Sequence, residues 1–361
     1  MNRERITKDW LFNLCMTITE KPLMDQTPIH FEDCTIYTLR SIELSRTYSC
    51  FHVVGSDVNF ILKESDRNEI EVYRNLNNKR VTPRLSVPRM YEFVELYNRE
   101  TRKSIYFIAL EHIAVNEGMG LTDCSDQVDG IIMYKEGRSG EAWSSAGYEL
   151  ARIHLSFWNV APLDSIPYCG IDYESLMQQI ENSQRIKSDN KLMAAIDIMK
   201  KRLDQMPWCL QNLDLFPINV LVKERAYSAG GERTIRPHAY FVDWKNAKPG
   251  PYILDLARMI SHCHRECVSN PDKLYLSPAF CSEDCKNATV NSYANEIMIQ
   301  HKNISDFQLD LLSGQLFEIA RMYIQMPTPY PINSYDRYYY HNMFALAGMI
   351  LSEKTDNNSS I

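Results

Sequence analysis

The spacing of apolar positions changes once along the chain. From Cys34 to Glu111 they fall in short runs rich in β-branched and aromatic residues: CTIYTLRSIEL, CFHVV before a Gly55-Ser56-Asp57 turn, VNFILK, and later SIYFIALE. Runs of this kind, bounded by turn residues, predict strands. Between the last two lies RNEIEVYRNL, whose spacing is that of a helix. After Gly140 the helical period takes over: Trp143, Ala146, Leu150, Ile153 and Phe157 recur at three and four residues, as do Leu192, Ile196, Met199 and Leu203. A sheet-rich first lobe, residues 1–113, therefore precedes a mainly helical second lobe, 114–352. AVNEGMGLTDCSDQVDG has the Gly and Asp content of a connector, and SEKTDNNSS predicts a frayed polar tail at 353–361. No internal repeat or low-complexity tract stands out.

Length agrees with two lobes, since 361 residues exceed the size at which single cores stop growing. Hydrophobic residues at 45% and charged residues at 24% describe a soluble globular chain. A formal charge of -7, with no dense Lys/Arg tract, argues against nucleic acid as a partner. Charges interrupt the N-terminal MNRERITKDWLFNLCMTITEK too often for a signal peptide, and no segment approaches the roughly 20 apolar residues that span a bilayer. The expectation is a cytosolic protein without a membrane partner, its ten cysteines reduced. Oligomeric state is not legible.

Candidate chemistry centres on QNLDLFPINVLV and YFVDWKNAKPGPYILDLARM. Asp214 lies in a polar turn feeding the strand NVLV, which Asn219 begins; beyond a hairpin turn at Ala229-Gly230-Gly231, the return strand AYFV ends at Asp243. Two carboxylates and an amide would then converge at one end of a β-ribbon. Phosphoryl transfer needs such a set: a carboxylate to orient an attacking hydroxyl and accept its proton, and hard oxygen ligands for Mg²⁺. The alternative for Asp214 and Asn219 is local turn capping.

These residues resemble the aminoglycoside phosphotransferase and choline kinase group, small-molecule relatives of the protein kinases. Its catalytic segment reads H-G-D-x-x-P-x-N, and Asp214, Pro217 and Asn219 keep those offsets; Asp243-Trp244, Gly250 and Asp255-Leu256-Ala257 match its metal segment. The resemblance implies a bilobal α+β protein-kinase-like fold that transfers the γ-phosphoryl of ATP, or GTP, to a hydroxyl of a small molecule. It implies Asp214 as base, Asn219 and Asp243 as Mg²⁺ ligands, and Lys63 at the end of VNFILK paired with a helical glutamate on the α- and β-phosphates. Helix geometry selects Glu69 for that pair: it shares a face with Val72, Tyr73 and Leu76, whereas Glu71 projects with Asn75 and Asn78. SIYFIALEHI resembles the fifth strand and hinge, which assigns backbone groups of Glu111 and Ile113 to adenine.

The chain departs from the family pattern at three places. Asn212 replaces the catalytic-segment His, Lys245 stands where Glu is common, and the nucleotide loop Leu44–Cys50 has no glycine, leaving phosphate grip to hydroxyls such as Ser45 and Thr47. Those departures motivate an alternative, a kinase-fold protein that binds nucleotide without turnover. A protein-directed kinase ranks third, because no A-P-E segment follows Asp243. His154, between Leu150 and Phe157, reads as a core histidine; Asp255 reads as a helix cap that, by the resemblance, braces the catalytic loop. Cys263, Cys267, Cys281 and Cys285, with His262 and His264, form a weaker rival constellation for zinc.

Overall fold

The computed structural model describes residues 6–20, 28–41, 46–78, 84–98, 102–113, 139–159, 173–216, 219–229, 232–261, 283–300, 304, 306–325 and 334–358. Two compact units emerge: residues 1–142 with 217–247, and 143–216 with 248–361.

The first unit is built on a six-stranded antiparallel sheet. Its strands are β1 (Ile29–Phe31), β2 (Cys34–Ser41), β3 (Arg46–Val54), β4 (Asn59–Ser65), β5 (Met90–Asn98) and β6 (Lys103–Glu111), in the order β1-β2-β3-β4-β6-β5. Helix α1 (Lys8–Glu20) lays Leu11, Leu14, Cys15 and Ile18 into one core with Ile36, Phe51, Val53, Phe60, Leu62 and Val94. Strand β5 went unread in the sequence because Glu92 and Glu95 interrupt its apolar run. Between β4 and β5, α2 (Arg67–Leu76) occupies the predicted span. Asp66 caps it, accepting from the Glu69 N–H at 2.8 Å, and Ile70, Val72, Tyr73 and Leu76 are buried.

In the second unit, α3 (Ser139–Ser156) buries Trp143, Ala146, Leu150 and Ile153 as the spacing requires. Helices α4 (Tyr173–Asn182), α5 (Gln184–Lys187) and α6 (Asn190–Gln205) follow. Asp189 caps α6 through the N–H groups of Lys191 and Leu192, and the predicted Leu192, Ile196, Met199 and Leu203 line its buried face. Strand β7 (Trp208–Gln211) leads, after the β8–β9 hairpin of the first unit, to its antiparallel partner β10 (Lys248–Pro251). That hairpin pairs β8 (Val220–Ala229) with β9 (Glu232–Phe241) over ten residues each. Then come α7 (Leu254–Ser261), α8 (Glu283–Gln300), α9 (Phe307–Gln325) and α10 (Ser334–Asn358). Helix α9 is buried almost all round from Asp310 to Arg321 and packs on α4, α6, α7 and α10.

The chain is thus a mixed α+β protein, sheet-rich at its N-terminal side and mainly helical after it. One expectation needs correction at the end of the chain. Helix α10 continues to Asn358, where the sequence predicted a frayed tail, and no Gly or Pro follows buried Ile350 to interrupt it. Among the described residues, no helix is long and apolar enough to cross a membrane.

Candidate functional site

In the first unit a short connection between β4 and α2 creates the first half of the site. Lys63 comes late in β4, and the cap at Asp66 starts α2 soon enough that Glu69, in its first turn, faces back to the strand. Lys63 Nζ lies 2.6 Å from Glu69 Oε1 and 2.5 Å from Asp243 Oδ1, while Ser65 Oγ donates to Glu69 Oε2 at 2.7 Å. The predicted partner is therefore the observed one, and Glu71 instead pairs with Arg74 along the helix. Burial alone would push the Lys63 ammonium pKa down, but Glu69 and Asp243 outweigh it and hold it well above its usual value. Burial raises the Glu69 carboxyl against the pull of Lys63. With an ammonium and a hydroxyl both donating to it, we take Glu69 as ionised.

Asp243 reaches Lys63 because the chain turns sharply after β9. Its φ is 59°, in the left-handed region, and Trp244 Nε1 donates to the Phe241 carbonyl at 3.1 Å to fix the turn. Asn68 of α2 holds the next segment by donating to the Lys245 carbonyl at 3.0 Å. Asn219 stands at the same end of the hairpin, its carbonyl accepting the Val242 N–H at 3.0 Å. The far side of the hairpin is fastened as well: the Phe241 N–H donates to the Ser86 carbonyl at 2.9 Å, and His238 sits between Ser86 Oγ and the Tyr227 hydroxyl.

At the end of β6 the Glu111 N–H donates to the Arg89 carbonyl at 2.7 Å. Its carboxylate accepts from Arg84 at 2.6 Å and from the Arg89 N–H at 3.1 Å. Ile113 is buried. Thr47 lies in β3 opposite Arg40, whereas Ser45 falls outside the described residues. The donor set of Asn219 and Asp243, an amide and a carboxylate whose side chain is 44% exposed, fits a hard divalent cation such as Mg²⁺.

In the second unit the strand β7 delivers Asn212, Leu213 and Asp214 into a braced loop. Asp255, in the first turn of α7, accepts the N–H groups of Asn212 at 2.6 Å and Leu213 at 2.9 Å, and its own N–H donates to Gln211 Oε1 at 2.8 Å. Asn212 is fully buried and accepts the Asp214 N–H at 3.0 Å, so it shapes the turn. His154 is buried between the Tyr293 hydroxyl at 2.7 Å and Asp255 and Gln211 at 3.4 Å, the core histidine its apolar surroundings implied.

Asp214, 33% exposed at its side chain, pairs with Arg258 Nη2 at 2.6 Å. Arg258 also donates through Nη1 to Glu318 Oε2 at 2.8 Å. Neither Arg258 nor Glu318 was singled out in the sequence. Arg258 directly follows Asp255-Leu256-Ala257, and Glu318 shares the apolar run LFEIARMYI of α9 with only one other charge, Arg321; that was the available signal. Of the rival zinc constellation, only Cys285 lies within the described residues, buried in α8, and no group of three or more metal-ligating side chains occurs among them.

No known family model matches the chain. No curated protein matches it either. Solved structures do. A microcompartment-associated aminopropanol kinase aligns over 95% of this chain and 98% of its own at 15% identity, with a TM-score of 0.56. An amicoumacin kinase, in complex with AMP-PNP and Ca²⁺, covers 94% and 93% at 10% identity with a TM-score of 0.48. The streptomycin–ATP–APH(2")-IIa ternary complex covers 87% and 90% at 11% identity with a TM-score of 0.37. The first of these carries the fold: the protein-kinase-like architecture expected from the sequence is the one observed.

Proposed function

We propose that the chain is a small-molecule kinase, moving the γ-phosphoryl group of ATP to a hydroxyl of a small acceptor. The observation that carries this reading is Lys63, an ammonium held at once by buried Glu69 and half-exposed Asp243. A structural ion pair needs one carboxylate; a phosphate-binding lysine needs an orienting partner and a route to open solvent. The fold shared with an aminopropanol kinase supports a small hydroxyl-bearing acceptor.

In this reading Lys63, oriented by Glu69, grips the α- and β-phosphates, with Ser45 and Thr47 adding hydroxyl contacts. Backbone groups of Glu111 and Ile113 meet adenine. Asn219 and Asp243 hold Mg²⁺, which supplies charge neutralisation at the phosphate oxygens when bound. Asp214 orients the acceptor hydroxyl and takes its proton. Catalysis of this type rests on positioning and charge, so few side chains carry it.

Asp214→Asn keeps the size of the residue and removes the base. With an acceptor found by screening amino alcohols, choline, sugars, aminoglycosides and macrolides against ATP, phosphoryl transfer should fall by roughly 10²–10⁴-fold while Mg-ATP still raises the melting temperature. Transfer equal to wild type would remove Asp214 from the chemistry. The second reading, nucleotide binding without turnover, is favoured by Asn212 serving the turn and Arg258 occupying Asp214. Wild type stabilised by Mg-ATP but inert toward every acceptor would establish it.

A further inference from the structure

The geometry points to Arg258 as a positioning residue for Asp214: its guanidinium, fixed from behind by Glu318 and Phe216, sets the orientation in which the carboxylate meets the acceptor hydroxyl. This rests on the reading of Asp214 as the base. All the groups involved lie in the second unit.

One turn of α7 supplies two grips on the same loop. Asp255 takes the backbone N–H groups of Asn212 and Leu213, and Arg258, three residues on, takes the Asp214 side chain at 2.6 Å. Spacing of i and i+3 puts both on one helical face. The guanidinium is held at two edges and one face. Nη2 goes to Asp214, Nη1 donates to Glu318 at 2.8 Å, and the plane lies 4.1 Å from the Phe216 ring centroid, two residues beyond Asp214 in the same loop. A planar fork locked in this way transmits its own orientation to the carboxylate it binds.

Leu213 is clamped as well. Its φ is 59°, uncommon for a side chain of that size, and it is held by Asp255 on its N–H and by Arg321 Nη2, 3.4 Å from its carbonyl. Arg321 is in turn 3.5 Å from Glu318 Oε1, so both arginines lean on one buried carboxylate. Strain of this kind persists where the surroundings over-determine it.

A role in stability alone accounts poorly for the cluster. Burying Arg258, Arg321 and Glu318 carries a desolvation penalty that apolar side chains would avoid. Arg258 Nε, Arg321 Nε and Glu318 Oε1 have no hydrogen-bond partner, so the arrangement is not the one that best satisfies its own polar groups. Its exposed end is the Asp214 carboxylate. Guanidinium does not give up its proton, which excludes Arg258 as the acid or base and leaves orientation as its contribution.

The test compares wild type, Arg258→Lys and Arg258→Gln/Glu318→Gln, each also in the Asp214→Asn background, with ATP and the acceptor from the screen. Lysine keeps the charge and loses the fork; the double variant removes the charges of Arg258 and Glu318 together. Melting temperatures establish which variants are folded, and either folded variant suffices. Positioning predicts kcat lower by about tenfold to a hundredfold in Arg258→Lys and lower still in the double variant, with KM for ATP unchanged. In the Asp214→Asn background the same changes should cost less than about twofold, because the group they orient is gone. A double variant that regains wild-type kcat would make Arg258 a stability element and overturn the proposal. So would losses that multiply with Asp214→Asn, or a kcat in a folded variant within about twofold of wild type. Asp214→Asn behaving as wild type would instead remove the base and this inference together.

Discussion

At Lys63 the choice between two glutamates was settled by helix geometry, and the consequence can be measured. Glu69 is fully buried, so its only large compensation is the ammonium 2.6 Å away and the Ser65 hydroxyl. Removing the cation leaves an uncompensated interior charge, whereas removing both members leaves none. Lys63→Met should therefore lose about 3 kcal/mol in urea denaturation, and Lys63→Met/Glu69→Gln should recover most of it. If the double variant were no more stable than the single one, the pair would not be ionised in the folded protein. Nucleotide binding should be weakened in both variants, since neither offers an ammonium to phosphate, and Mg-ATP should no longer shift their melting temperatures.

Between elements of the second unit, α3 and α8 meet closely at Gly147. A Cβ at Gly147 would stand 2.1 Å from the Thr289 carbonyl oxygen, and Thr289 Oγ1 already donates to the Trp143 carbonyl at 3.1 Å. Alanine would raise helix propensity by about 1 kcal/mol, yet the contact forces two helices apart at a buried seam. Gly147→Ala should be destabilising overall, by more than about 2 kcal/mol, and a melting temperature at or above that of wild type would show that the seam yields. The β8–β9 hairpin shows a different limit of local pattern. Its proximal strands NVLV and AYFV were legible, but the ladder runs on through Glu224–Ala229 and Glu232–Arg236, where charged and polar residues give no apolar alternation. Backbone pairing continues the ribbon there, with the Tyr227 hydroxyl reaching His238 across it at 2.7 Å.

For the whole molecule, the buried acid Glu318 links folding to pH. Burial raises its carboxyl to about 7, with Arg258 opposing and Asp255 and Asp214 adding to the rise; Arg321, 3.5 Å from its Oε1, is a further charged neighbour. A folded-state value above the unfolded one, near 4.5, means that the native protein binds the extra proton between them. Glu318 thus contributes stability that is complete below pH 4.5 and is lost as pH rises to about 7. Relative to Glu318→Gln, which does not titrate, wild type should become less stable across that window, by up to the order of 3 kcal/mol. Parallel stability curves for the two proteins from pH 4.5 to 7 would rule Glu318 out as the titrating group.

The sequence by itself determined what depends on short spacing. Alternation and helical period placed the sheet region, α2, α3 and α6, and the helix-face argument chose Glu69 over Glu71, because those relations are decided within one or two turns of backbone. Offsets within QNLDLFPINVLV and YFVDWKNAKPGPYILDLARM marked Asp214, Asn219, Asp243 and Asp255. Tertiary structure decided which of these groups touch. Lys63 and Asp243 are 180 residues apart, Arg258 and Asp214 are 44 apart, and Arg258 and Glu318 are 60 apart. No local pattern encodes such pairs, since an arginine after a helix cap or a glutamate in an apolar helix reads the same whether it faces solvent or a buried partner. Only the packing of α7 against α9, and the return of β9 to the end of β4, turned those residues inward and gave each charge its counterpart.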